Sequence, residues 1–415
     1  MSRRPLYGWL TADAISLTGT RLSMLALPWF ALTTTGSPTK TGLVALAETA
    51  PLVVLKVLGG PVIDRIGPRR VSISCDLGSA AVVALIPILY AAGLLHFPTL
   101  LLLVALGGAL RGPGDAAKNA LIPHLVAAAG IPTERATGLG SMVERSASML
   151  GAAAAGLLIG WLGAPTAIAV DAASFAVCAV VLAWATGGLR RPQAAPVTVP
   201  YAAQLKEGWD FLRRDRILVG IAVMVTLTNL VDQAYSSVLM PVWGASYHSA
   251  EVVGLAFAAF AGASAVGSAL AASVATRLPR YATYLVAFVV CGAPRFVVAA
   301  WDVPLVAVLA VFVAGGFASG FINPILGAIE FERIPAHLVG RVSSLMTAAC
   351  FALIPFGGLL GGGLVSGLGL TGAMLACGAA YFVVTMFPAV DRTWRRIDER
   401  PAPAAVSEGT PAPAR

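Results

Sequence analysis

Charged residues stand where a chain this apolar has little room for them. Asp13, Arg21, Glu48, Lys56, Arg111, Asp115, Glu144 and Asp232 each fall inside a long hydrophobic run. Ionisable groups at membrane depth are costly, so each either neutralises a partner or does chemistry on a proton, an ion or a ligand. Depth separates the two cases. With a rise of about 1.5 Å per residue, Asp13 on the first run and Lys56 on the second both lie roughly 10 Å from one membrane face. Arg21 and Glu48 then both lie roughly 21 Å from it. The two pairings share one antiparallel hairpin register, which predicts stacked interhelical pairs Asp13–Lys56 and Arg21–Glu48. The fourth and fifth runs repeat the idea, with Arg111 near Glu144 and Asp115 near Arg145.

Asp232 has no partner on this reading and sits at mid-depth, beside Asn229 and Gln233. An unpaired carboxyl there can load and release a proton, which makes Asp232 the first candidate for a proton site and Asp13 the next. A hydrogen-bonded structural acid is the competing reading of Asp232. Asp171 and Asn323 are weaker candidates. Arg21, Arg111, Asp115, Asn229, Tyr235 and Asn323 could line a polar cavity. Met24, Trp29, Phe30, Tyr235, Trp243 and Phe321 could stack on a bulky apolar ligand, although lipid contact or helix packing explains any one of them alone.

The elements that must position these groups are membrane helices. The chain of 415 residues is 58% hydrophobic and only 12% charged, about half the charged fraction a soluble surface needs. Apolar segments fall near 7–32, 42–60, 71–93, 98–120, 137–161, 165–187, 217–241, 251–276, 282–301, 304–330, 341–367 and 369–390, each long enough to span a hydrocarbon core of about 30 Å. The net charge of +8 follows the segments in alternation. Arginines cluster before the first run and after the second, fourth, sixth, eighth, tenth and twelfth, whereas the opposite loops carry Lys40 alone. Positive charge concentrates on the cytoplasmic side of membrane proteins, so both termini are expected there. The basic surplus therefore reads as topology and not as nucleic-acid binding.

The first run contains Asp13 and Arg21 and continues past residue 30, so it reads as an uncleaved helix and not a signal peptide. The five cysteines all lie in apolar segments, and neither a metal site nor a cofactor is expected. The abundant Arg, Ala and Gly point to a GC-rich bacterial genome and hence to a bacterial cytoplasmic membrane.

The chain divides six plus six. Residues 1–187 form a first six-helix bundle and 217–391 a second. Between them 188–216 turns polar and Pro-rich, then places Leu205, Trp209 and Leu212 at helical spacing among charges, as in an amphipathic helix on the membrane surface. Residues 392–415 read as a disordered tail. The halves resemble each other: Arg135, Leu139, Gly151 and Gly156 recur at a constant offset of 206 as Arg341, Leu345, Gly357 and Gly362.

After the second segment, GGPVIDRIGPRR carries Gly60, Asp64, Arg65, Gly67, Arg69 and Arg70. Gly60 and Gly67 permit a tight turn, and Asp64 can accept hydrogen bonds from a neighbouring helix N-terminus. A topogenic basic loop would explain the arginines but not the Asp and Gly positions. This spacing resembles the signature of the major facilitator superfamily. The resemblance implies two parallel six-helix repeats, a substrate site between them near the bilayer midplane, and a latch of these residues at the cytoplasmic gate. Arg341, at the matching position of the second half, joins that gating set. SLTGTRLSMLALPWFALTTTGSP, CDLGSA, VDAASFAV and QLKEGWDFLRRDRIL look like the macrolide-efflux and transmembrane-secretion-effector group, which includes enterobactin-exporter-like proteins. Members of that group expel natural products, usually in exchange for protons.

The chain departs from drug antiporters by having Ala152 where a Pro belongs in the fifth helix, and Arg111 near the place of a fourth-helix Arg that would align at Gly108. Efflux of a hydrophobic or amphiphilic small molecule against protons is the expected activity, carried by a monomer. Uptake by the same fold is the runner-up. His96, His124, His248 and His337 are scattered and no phosphate-binding loop occurs, which disfavours a membrane enzyme; a receptor or scaffold is the remaining alternative.

Overall fold

The computed structural model describes residues 3–131, 133–188, 201–246, 249–274, 277–301, 303–335 and 338–398. Helix 1 is Arg4–Thr35, helix 2 Pro38–Leu58, helix 3 Pro68–Ala91, helix 4 Phe97–Ala120, helix 5 Thr133–Leu162 and helix 6 Ala164–Ala185. Helix 7 runs over Arg216–Ala234 and continues through a π-helical turn, Tyr235–Leu239, into Met240–Ser246. Helix 8 is Ala250–Val274. Helix 9 is Arg280–Cys291 then Ala293–Ala300, and helix 10 is Leu305–Ser319 then Ile322–Arg333. Helix 11 begins as Val339–Ala352 and continues from Ile354; the run to Val390 breaks at Gly369 (φ 71°), where helix 12 begins. Among the described residues ten helical stretches are long and apolar enough to cross a membrane, the last of which holds helices 11 and 12 together. Helix 1, made less apolar by Asp13 and Arg21, completes a multi-pass set of twelve.

Local chemistry sets the boundaries. Gly36 ends helix 1 in the left-handed region (φ 64°), and Ser37 caps helix 2 by accepting from the Lys40 amide at 3.3 Å. Asp215 starts helix 7 by accepting from the Ile217 and Leu218 amides at 2.9 and 3.1 Å. The helix ends bearing the arginine clusters form one face, here the basic face, and the opposite end is the outer face.

Packing does not follow chain order. Helix 1 lies against helices 5 and 6, helix 2 against helices 4 and 11, and helix 5 against helix 8. Glycines allow these approaches, since a Cβ would strike the neighbouring backbone. The 206-residue repeat reappears here as symmetry. Gly151 sets helix 5 on helix 1, where a Cβ would come 2.7 Å from Arg21 Cβ, and Gly357 sets helix 11 on helix 7 at 2.6 Å from Leu230 O. Gly156 sets helix 5 on helix 8 at 2.8 Å from Gly254 Cα, and Gly362 sets helix 11 on helix 2 at 2.8 Å from Pro38 O. The last two contacts join the halves. Thr39 Oγ1 and Ser366 Oγ, 2.8 Å apart, close the same seam toward the outer face.

The described part of the central connection, Tyr201–Leu212, is helical. It docks on protein, with Leu212 buried, Gly208 against Leu345 and Arg341, and Trp209 exposed. Residues 189–200 and the tail from 399 lie outside the described residues. The tail expectation needs correction at its start. Arg392–Asp398 forms a 3₁₀ helix because Trp394 and Ile397 are apolar enough to bury, Trp394 stacking 5.7 Å from Tyr284, while Asp398 accepts from the Tyr281 amide at 3.0 Å.

Candidate functional site

Helices 1 and 5 of the first half and helices 7 and 8 of the second enclose a cavity of about 230 Å³ between the halves. Arg21, Met24 and Leu25 come from helix 1, Ser148 and Ala152 from helix 5, Ser236 from the π-helical turn, and Phe257, Phe260 and Ala261 from helix 8. The wall is apolar and aromatic, with two hydroxyls and one charge, Arg21. A larger cavity of about 320 Å³ lies nearer the basic face, inside the first half. Its charged lining is Asp13, Lys56, Asp115, Lys118 and Glu144, with Trp9 and Asn119 beside them.

The ion pairs differ from those expected. Asp13 and Lys56 line the same cavity but form no pair; the Lys56 ammonium lies 5.4 Å from the Phe351 ring of helix 11. Glu48 is bonded by Arg111 at 2.8 Å, not by Arg21. The reason is packing. Consecutive helices 1 and 2 share a smaller interface than helices 2 and 4, where Gly108 and Gly112 would place a Cβ 2.0 Å from Glu48 O and 2.4 Å from Leu52 O. That close approach delivers Arg111 to Glu48, so Arg111 pairs there and not with Glu144. Asp115 lines the basic-face cavity, and the Arg145 side chain lies outside the described residues.

Two further acids in the first half are bonded to side chains of the same half. Asp76 is bonded by Lys118 at 2.9 Å and by Cys178 Sγ at 3.2 Å, while Lys118 also donates to Ser16 at 3.0 Å, tying helices 1, 3, 4 and 6. Asp171 accepts from Ser23 and, at 3.3 Å, from Ser174.

Asp232 has a partner that the sequence reading missed: Arg295 of helix 9. Arg295 stands one turn beyond the break at Gly292, its guanidinium 4.9 to 5.9 Å from the rings of Tyr235, Phe260, Phe296 and Tyr381. Depth could have found it. Both helices rise from the basic face, Asp232 roughly 24 Å after Arg216 and Arg295 roughly 22 Å after Arg280. The Asp232 side chain stays 38% exposed, whereas that of Arg295 is 11% exposed.

The other candidates scatter. Asn229 donates to Cys350 O at 2.9 Å and so fastens helix 7 to helix 11. Tyr235 is buried, its hydroxyl donating to Arg295 O at 3.4 Å, and Asn323 is exposed on helix 10. Phe30 packs on Tyr90, Phe321 on Phe317, and Trp29 lies near Gly244, so Met24 alone of the proposed stacking residues lines the inter-half cavity.

In the signature turn, Gly60 opens the short helix Gly60–Ile66 and Gly67 has a φ of 96°. Arg69 donates to Thr186 Oγ1 at 3.0 Å and Ala183 O at 2.9 Å, fastening helix 3 to helix 6. Asp64, Arg65 and Arg70 are exposed and make no ion pair among the described residues. Arg341 pairs with Glu207 of the linker helix.

The model of the Major Facilitator Superfamily matches residues 10–233 and 222–414. The chain belongs to this superfamily. It is a transporter and not an enzyme. Among curated proteins it is 29% identical over 379 residues to the "Multidrug efflux pump Tap" of Mycobacterium tuberculosis, covering 90% of each chain, and 29% identical over 378 residues to the protein of the same name from Mycolicibacterium fortuitum. Among solved structures it resembles the nucleoside transporter NupG (TM-score 0.73, 14% identity, 93% and 98% of the two chains) and a D-xylose-proton symporter (0.68, 16%, 93% and 97%). These identities are low enough that the structures speak for the fold alone.

Proposed function

We infer that this superfamily member exports a hydrophobic or amphiphilic small molecule across a bacterial cytoplasmic membrane, in exchange for protons, with its basic face inside. The observation that carries the reading is the cavity between the halves, walled by Phe257, Phe260, Met24 and Leu25 and polar only at Arg21, Ser148 and Ser236. Such a wall suits a ligand taken from lipid or cytosol better than a sugar, which needs many fixed hydrogen-bond partners. The full-length likeness to multidrug efflux pumps supports the direction.

Asp232 is the proposed proton carrier because it is joined to that cavity by two elements. Phe260 lines the cavity and also lies 5.9 Å from the Arg295 guanidinium. In the π-helical turn Ser236 faces the cavity while its neighbour Tyr235 bonds Arg295 O. Protonation of Asp232 would loosen its hold on Arg295 and let that turn repack, which is a differential contact of the kind alternating access requires. Each proton entering down a potential of 100 mV supplies about 2.3 kcal/mol.

The test uses Nile red, an uncharged amphiphile. Cells expressing the protein should retain less of it than cells without, and a protonophore should abolish the difference. Equal retention would overturn export of neutral amphiphiles, and protonophore-insensitive export would remove the coupling. Alkaline phosphatase fused after about residue 200 should be inactive and fused at Phe97 active; the reverse would invert the topology.

A further inference from the structure

Arg21 occupies an unusual position for a membrane arginine. It stands on helix 1 roughly 21 Å from the basic face, within the span of the hydrocarbon core, and its register partner Glu48 is already held by Arg111. Among the described residues it makes no ion pair, and its Nε–H is buried without an acceptor. The one side-chain bond its guanidinium makes is a 3.4 Å contact from an Nη to Met24 Sδ, and a thioether is a weak acceptor. The charges that act on it are Glu144 and Arg111, of opposite sign. Its stem is fixed against Gly151, so the head is held at the wall of the inter-half cavity. No other residue lining that cavity carries a charge, and two phenylalanine rings stand opposite.

A guanidinium kept at this depth without a contact ion pair, with Glu144 and Arg111 acting on it in opposite senses, is expensive unless a ligand supplies an anion. Its planar fork of donors matches a carboxylate or sulfonate better than any other common group. We propose that the cavity selects amphiphiles bearing an acidic group, whose anion is bound by Arg21 while an adjoining ring system packs on Phe257 and Phe260. This rests on the export reading above and narrows its substrate class. Lipophilic cations, for which an acidic cavity would be built, are disfavoured in this one. The acidic side chains Asp13, Asp115 and Glu144 line the separate cavity nearer the basic face.

Equilibrium dialysis of the full chain in lipid nanodiscs tests the idea with three radiolabelled probes of one ring size: 1-naphthaleneacetate, 1-naphthaleneethanol and 1-naphthaleneethylamine. The acid should bind at least tenfold more tightly than the amine, a difference of about 1.4 kcal/mol, with the alcohol between. Arg21→Gln should erase the ranking while leaving alcohol binding within about threefold, and Arg21→Lys should restore part of it, because a point charge keeps attraction without the fork. Phe257→Ala should weaken all three probes together. Equal or tighter binding of the amine to the unaltered chain would overturn the acid preference and leave the cavity as the ligand site. A ranking unchanged in Arg21→Gln would move the anion site elsewhere. Failure of every probe to bind would overturn the cavity reading itself. Should Arg21→Gln not accumulate, the wild-type ranking and Arg21→Lys still decide.

Discussion

Glu48–Arg111 and Asp232–Arg295 are the same chemical pair, a carboxylate and a guanidinium, placed deep in opposite halves. Their arginines are equally hidden, at 8% and 11% exposure, but their carboxylates are not: Glu48 is 11% exposed and Asp232 is 38%. Helix packing makes the difference. Gly108 and Gly112 press helix 4 onto helix 2 and close Glu48 away from water, whereas the break at Gly292 and the π-helical turn leave the bond between helices 7 and 9 open on one side. A sealed pair can hold helices together but exchanges nothing. An open carboxylate can take a proton while its partner stays in place, and Arg295 is additionally held by four rings, each capable of about 0.5–2 kcal/mol.

The contrast predicts its largest effect at the sealed pair. Arg111→Met leaves the Glu48 carboxylate buried without a counter-charge, at a cost of about 3–5 kcal/mol, and folded protein should be nearly absent from detergent extracts. Adding Glu48→Met should recover most of the yield, since an apolar pair of similar volume is close to neutral. Recovery no better than the single variant would show that Arg111 acts on something other than Glu48.

At the open pair the order of effects should reverse. Asp232→Asn keeps the shape and an acceptor for Arg295, so the thermal midpoint should drop modestly, by the equivalent of about 1–3 kcal/mol. Nile red export should vanish, because the amide cannot titrate. Collapse as severe as that of Arg111→Met would erase the distinction between the pairs; active export by a folded variant would move the proton site, with Asp13 next in line.

These pairs also show where sequence arithmetic works and where it stops. The twelve segments, the duplication and the signature turn follow from hydropathy, charge alternation and glycine spacing, all local in the chain. Rise per residue is fixed, so the chain also orders Asp13, Lys56, Arg21 and Glu48 along their own helices. Partners do not follow in this way. Pairing helix 1 with helix 2 assumes that chain neighbours are space neighbours, whereas glycines on helix 4 decide which helix comes closest to Glu48. Arg295 was missed because no acid neighbours it in the chain, although its depth matches that of Asp232. Arg21, expected both as the partner of Glu48 and as a cavity residue, lines the inter-half cavity and leaves Glu48 to Arg111.

Sealed against open also describes the signature turn. Asp64 is exposed on the basic face and unpaired among the described residues, so Asp64→Asn should change stability by no more than about 0.5 kcal/mol. If its carboxylate engages only when the basic face closes, removing it handicaps one of two states, and export should fall about tenfold or more while the thermal midpoint holds. Normal export would reduce the turn to a topogenic loop.

The smallest effect belongs to the far end of the seam, which is sealed in this structure. There Thr39 and Ser366 share a hydrogen bond of 2.8 Å, and Gly42 and Gly358 meet so closely that a Cβ at Gly42 would fall 2.2 Å from Gly358 O. The glycine contact is packing, which substitution would destroy in every state. The hydroxyl bond is separable, because Thr39→Ala removes one oxygen and leaves the helices in place. An exposed bond of this type contributes about 0.5–1.5 kcal/mol, enough to move a two-state equilibrium by about two- to tenfold toward the form open at the outer face. Ala45 reports on that opening, since its Cβ lies 2.7 Å from where a Gly358 Cβ would stand. Ala45→Cys should react with a membrane-impermeant maleimide two- to tenfold faster when Thr39→Ala is added, over the background of the five native thiols. Ser366→Ala should have the same effect, and the double variant no more than either single one, because both remove the same bond. Unchanged labelling would show that packing alone holds the outer seam shut.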